Sequence, residues 1–98
     1  MQNNKIETEI KKLVLECETF YNNQLKRTKK EIYENCYQIN FYESMRDYFE
    51  TRIFNENTQD ILEEIFPTSM EELYNCYKKN EYASVDNFEL IEEFLSSI

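Results

Sequence analysis

The chain has no glycine and a single proline among its 98 residues, and this limits its backbone more than any motif does. Tight hairpin turns draw on glycine because their central residues sit at positive φ, where a Cβ clashes, and larger β architectures use many such turns. Helices need none: glycine weakens a helix interior and proline breaks it. An all-β fold is therefore disfavoured, and helix boundaries must be written in polar capping residues.

The apolar spacing agrees. From Lys5 to Leu25, Ile6, Ile10, Leu13, Val14, Cys17, Phe20, Tyr21 and Leu25 recur every three or four residues, the mark of one helical face. Thr28-Lys29-Lys30-Glu31 spells a capping box, so a second helix is expected near Thr28, burying Ile32, Cys36 and Ile39 with Tyr33 and Tyr37 flanking. Asn40-Phe41-Tyr42-Glu43 repeats the spelling, and either a third helix or a bent continuation of the second would carry Met45, Tyr48, Phe49 and Ile53 inward. Asn55-Glu56-Asn57 reads as a loop. Thr58 then caps a short helix through Ile61, Leu62, Ile65 and Phe66 that must stop before Pro67, because a residue preceding proline is pushed out of the helical region. Ser69-Met70-Glu71-Glu72 opens a helix with Leu73, Tyr74 and Tyr77 on one face. The last helix is expected from Ser84 or Asp86, burying Phe88, Ile91, Phe94 and Leu95. The expected fold is all-α: one domain over residues 1–98, a compact bundle of five to six helices with a long N-terminal helix followed by shorter acidic ones.

A chain this short buries only roughly 60–70% of its unfolded surface, so most large apolar side chains are needed inside. The supply is adequate, at 41% hydrophobic residues with seven Phe and eight Tyr. No stretch approaches the ~20 apolar residues of a membrane span, and there is no secretory leader pattern. Cys17, Cys36 and Cys76 are odd in number and not closely spaced. They read as reduced core cysteines of a soluble cytoplasmic protein.

Familiar catalytic chemistry finds little foothold. Without histidine the commonest proton shuttle is missing, and three cysteines alone cannot complete a four-ligand zinc site. Without glycine there is no phosphate loop. The acidic pairs Glu63/Glu64, Glu71/Glu72 and Glu92/Glu93 could be proposed as acid and base, but adjacent helical residues point about 100° apart, and solvated helix faces explain them. Asn55-Glu56-Asn57-Thr58-Gln59-Asp60 is oxygen-rich but lacks the turn glycine and spacing of a calcium loop. No enzyme activity, cofactor or metal is expected.

Charge is sorted along the chain. Residues 1–30 hold seven bases and four acids, a net +3, whereas residues 31–98 hold four bases and sixteen acids, a net −12. The bases Lys26, Arg27, Lys29 and Lys30 form a small footprint beside a body that repels polyanions, so direct nucleic-acid binding is not expected. The acids suggest the opposite partner. Glu43, Asp47 and Glu50 fall on one side of a helix, and Asp60, Glu63, Glu64, Glu71 and Glu72 extend the acidic surface. Carboxylates on rigid helices can imitate duplex phosphates and occupy the basic groove of a nucleic-acid-binding host protein. Tyr42, Tyr74 and Tyr82 stand farthest from the core stripes and are the expected exposed anchors, since aromatic residues dominate interface hot spots. The competing reading is a small adaptor or regulator that homodimerises or docks through apolar helix faces, its acidity serving solubility.

The run Glu31-Ile32-Tyr33-Glu34-Asn35-Cys36-Tyr37-Gln38-Ile39, followed by Phe41-Tyr42-Glu43 and an acidic, aromatic-rich tail, resembles a family of small acidic helical proteins of unknown function from Firmicutes, their phages and mobile elements. In that pattern Glu-Asn precedes a small residue, here Cys36, and then a Tyr. The resemblance spans residues 10–95 and identifies no active residue. It implies a class that includes inhibitors of host defence, among them anti-CRISPR proteins that occupy nucleic-acid-reading surfaces of effector complexes.

Overall fold

The computed structural model describes residues 2–81 and 83–98. Six helices form: α1 (Gln2–Gln24), α2 (Lys29–Glu34), α3 (Cys36–Arg52), α4 (Glu56–Ile65), α5 (Met70–Lys79) and α6 (Phe88–Ser96). No strand forms among the described residues. The fold is an all-α bundle with a long first helix, as the spacing predicts.

Polar caps mark the helix starts, in keeping with the missing glycine. Thr28 Oγ1 accepts the Glu31 N–H at 3.2 Å and donates to Glu31 Oε1 at 3.0 Å. Ser69 Oγ accepts the Glu72 N–H at 3.2 Å. The two contacts to Glu31 N–H and Glu72 N–H each satisfy a backbone donor that the first turn leaves without an intrahelical partner. Two further starts, besides that of α3, differ from the sequence expectation. The fourth helix is capped by Asn55, whose Oδ1 accepts the Thr58 N–H at 3.0 Å. Thr58 thus lies inside α4, buried, where its Oγ1 accepts a hydrogen bond from the Tyr48 hydroxyl at 3.1 Å. The last helix is capped by Asn87 through the Leu90 N–H at 2.9 Å, while Ser84 closes a local turn onto the Asp86 N–H. The extended backbone at Phe66 ends α4 before Pro67, as expected.

Helix α3 is the axis of the bundle. It buries Phe41, Tyr42, Met45, Tyr48 and Phe49. Against them pack Ile6, Ile10, Leu13 and Cys17 of α1, Leu62 of α4, Met70 and Leu73 of α5, and Ile91, Phe94 and Leu95 of α6, all in one continuous core. The most extensive helix pair is α1 with α3, followed by α4 with α6. Phe41 touches Tyr77 and Phe94, with ring centroids 4.7 and 6.0 Å apart, so one aromatic side chain ties α3 to both α5 and α6.

The second and third helices are nearly continuous, and their junction lies at Asn35 rather than Asn40. Asn35 has φ −99° and ψ 13°, yet its N–H donates to Glu31 O at 3.1 Å and its carbonyl accepts the Ile39 N–H at 2.9 Å. Asn40 is simply an exposed residue within α3. This α2–α3 rod does not bury the stripe expected of it. Cys36 is exposed, Ile32 and Ile39 are half-buried, and Tyr33 and Tyr37 are both 80% exposed. The cause is position: among the described residues α2 packs chiefly on α3, its continuation, and no other helix makes an extensive contact with it.

Candidate functional site

All eight carboxylates expected at a binding surface are exposed: Glu43, Asp47, Glu50, Asp60, Glu63, Glu64, Glu71 and Glu72. They do not form a single cluster. Glu43, Asp47 and Glu50 line a groove of about 410 Å³ between α1 and α3, walled by Phe20 and Tyr21. Arg46 sits among them, its Nε 3.3 Å from Glu50 Oε1 and its guanidinium 3.8 Å from Glu18. That acidic groove is therefore partly neutralised from within.

The remaining carboxylates are held elsewhere. Glu63 lines a separate hollow with Lys5, Glu9 and Pro67, and Glu71 lies in the α1–α5 groove beside Lys12 and Glu16. Glu72 is engaged in its own helix start, accepting from the Thr68 hydroxyl at 3.2 Å. Asp60 and Glu64 stand on α4. A further acidic group, Glu89, Glu92 and Glu93, lines the α4–α6 groove. There Glu92 faces Arg52 at 3.8 Å and accepts from Asn57 Nδ2 at 3.2 Å. Sequence alone does not pair Glu92 with Arg52, because forty residues separate them.

The tyrosines require a correction. Tyr42 is 7% exposed, with its ring 4.2 Å from that of Phe20, and Tyr74 is half-buried with its ring 5.3 Å from that of Phe41. Burial raises the pKa of both phenols above the ordinary tyrosine value. Neither is an exposed anchor. Helix α3 is covered by α1 on one side and by α5 and α6 on another, so its buried stripe is wide enough to include both Phe41 and Tyr42. Tyr82 lies outside the described residues. Among the described residues the exposed aromatic side chains are instead Tyr21, Tyr33, Tyr37 and, at 72%, Phe54.

The cysteines also divide. Cys17 is in the core, and burial, reinforced by the Glu16 carboxylate, pushes its thiol up to about 12. Cys76 is half-buried and Cys36 is exposed. Among the described residues no group of three or more Cys, Asp or Glu side chains is placed to hold a metal ion, and no helix is long and apolar enough to cross a membrane.

No protein-family model matches the chain, and neither a curated protein nor a solved structure matches it.

Proposed function

We propose that the chain is a non-enzymatic inhibitor that engages a basic nucleic-acid-binding surface of a host protein, with a CRISPR effector as the candidate target. In this reading it acts in the cytoplasm on behalf of a phage or mobile element. One observation carries the proposal: Glu43, Asp47, Asp60, Glu63, Glu64 and Glu71 stand exposed on helices with no ion-pair partner among the described residues. Unpaired carboxylates on a folded scaffold have no internal ion pair to break on meeting a basic groove. Their summed field also speeds encounter and repels nucleic acid from the same groove.

The test is charge reversal in three separate places: E43K/D47K, E63K/E64K and E71K/E72K. Binding to a purified effector complex should fall sharply in at least one variant, and inhibition of its target binding should fall with it, while the helical CD spectrum stays intact. Wild-type inhibition in all three would sink the proposal.

The adaptor reading is favoured by a different observation, the 80% exposure of Tyr33 and Tyr37 on the α2–α3 rod. Salt separates the two readings. At ~0.5 M the Debye length is only a few ångströms, so a carboxylate-driven complex dissociates, whereas an apolar one persists.

A further inference from the structure

The face that the α2–α3 rod leaves uncovered is organised. Lys29, Ile32, Cys36, Ile39 and Glu43 follow one another at intervals of three and four residues and, with Tyr33 and Asn40 beside them, line a single shallow surface. This is the a, d and e pattern of a helix seam that packs against another helix. It runs for fifteen residues, about 21 Å from first to last at helical rise. Lys29 and Glu43, at its two ends, are both exposed.

We infer that this seam pairs with the same seam of a second copy of the chain, the two rods antiparallel about a two-fold axis passing at Cys36. The charge pattern selects both the partner and the direction. Cys36 lies seven residues from each end, so an antiparallel copy brings each Lys29 to the other chain's Glu43, and Tyr33 to the other chain's Ile39. A parallel copy would oppose Lys29 to Lys29 and Glu43 to Glu43, which is repulsive. A phosphate-rich partner fits worse, since Glu43 and, beyond it, Asp47 and Glu50 are acidic. A surface with one charge at each end and apolar residues between is self-complementary, which is what an isologous contact requires. The pairing also accounts for a core-like spacing that the single chain leaves in solvent.

Two facing rods of this length make a small interface, in the range below ~1,200 Å² of transient complexes, so a concentration-dependent equilibrium is expected. Sedimentation equilibrium of the full chain should show the mass rising from monomer towards dimer as concentration increases. Tyr33→Glu, at an 80% exposed position that leaves the core intact, should abolish the rise. Lys29→Glu and Glu43→Lys should each weaken association on the order of tenfold, because two symmetric pairs become repulsive. The double exchange K29E/E43K should return it close to wild type. A short bismaleimide should join two chains in the wild type but not in Cys36→Ser.

A monomeric mass at every concentration would overturn the inference. So would an unchanged equilibrium in Tyr33→Glu, a double exchange no better than the single ones, or cross-linking that survives Cys36→Ser. The inference stands apart from the inhibitor reading: Tyr33→Glu breaks the dimer without touching the unpaired carboxylates, and E63K/E64K and E71K/E72K lie outside the seam.

Discussion

Two stretches of this molecule carry the same apolar spacing and meet different ends. In α1, Ile6, Ile10, Leu13 and Cys17 are all at most 6% exposed; in the α2–α3 rod, Ile32, Cys36 and Ile39 are half-buried or exposed. Helical period explains both sets equally well, since it states which side chains share a face. What differs is what stands opposite. The α1 face meets α3, which also packs against α5 and α6, while among the described residues no other helix makes an extensive contact with α2. Amphipathicity is thus a demand for a partner, and the partner need not be in the same chain.

The largest expected effect puts that contrast to the test. Leu13→Ala removes a fully buried side chain and should cost about 2–5 kcal/mol, through lost transfer free energy and the cavity left behind. Tyr33→Ala, compared by urea unfolding at concentrations where the chain is monomeric, should stay within about 0.5 kcal/mol. If the two losses were similar, the rod would be part of the core and the comparison would fail.

Thiols sharpen the same contrast. Burial lifts Cys17 from the ordinary thiol value of 9.0 to about 12, and Tyr48, between α3 and α4, from 10.0 to about 12. Both groups are held neutral by the fold. Their stabilisation is fully present below the unfolded values and is lost as pH rises through the folded ones, because only the unfolded chain releases protons in between. Urea midpoints should therefore decline from about pH 9 upward, and Cys17→Ala should flatten the decline whatever its effect at neutral pH. In native protein at neutral pH a thiol reagent should modify exposed Cys36 first, with Cys17 reacting only on unfolding. Early reaction at Cys17 would mean that the α1–α3 contact opens locally.

Much of this architecture is legible in the sequence, and the misses have two causes. The helix count, the core stripe of α1, the stop before Pro67 and the caps at Thr28 and Ser69 follow from local chemistry: steric restriction before proline, side-chain oxygens that satisfy orphan N–H groups, and apolar period. Errors of cap choice arose where several capping residues crowd together. Asn55 stands three residues before Thr58, and either can accept from a first-turn N–H. The sequence misplaces the tyrosines and Cys36 for another reason. Whether Tyr42 is covered depends on α1 and α5, and whether Cys36 is covered depends on whether another helix crosses the rod. Neither is encoded near those residues. The exposure of the carboxylates needed only their charge, since unpaired acids stay in water. Their division among separate grooves needed the packing.

The smallest expected effect concerns two caps that are alike in geometry. Asn55 accepts the Thr58 N–H at 3.0 Å, and Thr28 accepts the Glu31 N–H at 3.2 Å. In isolation each is worth about 1 kcal/mol. The helices they start are not alike: α4 delivers Leu62 and Thr58 to the core, whereas none of the described side chains of α2 is buried. Asn55→Ala should therefore lower global stability by about 1 kcal/mol, because α4 cannot unwind without opening the core. Thr28→Ala should cost under about 0.5 kcal/mol globally, because α2 can fray while the bundle stays folded. Its signature is local instead: faster amide exchange at Glu31 and Ile32, with the unfolding midpoint nearly unchanged. Dimerisation should narrow the gap between the two caps, because pairing the seams gives α2 the buried face that the single chain denies it. A Thr28→Ala loss that grows with protein concentration would join the rod's local stability to its partner. A loss equal to that of Asn55→Ala at high dilution would show that α2 already belongs to the cooperative core.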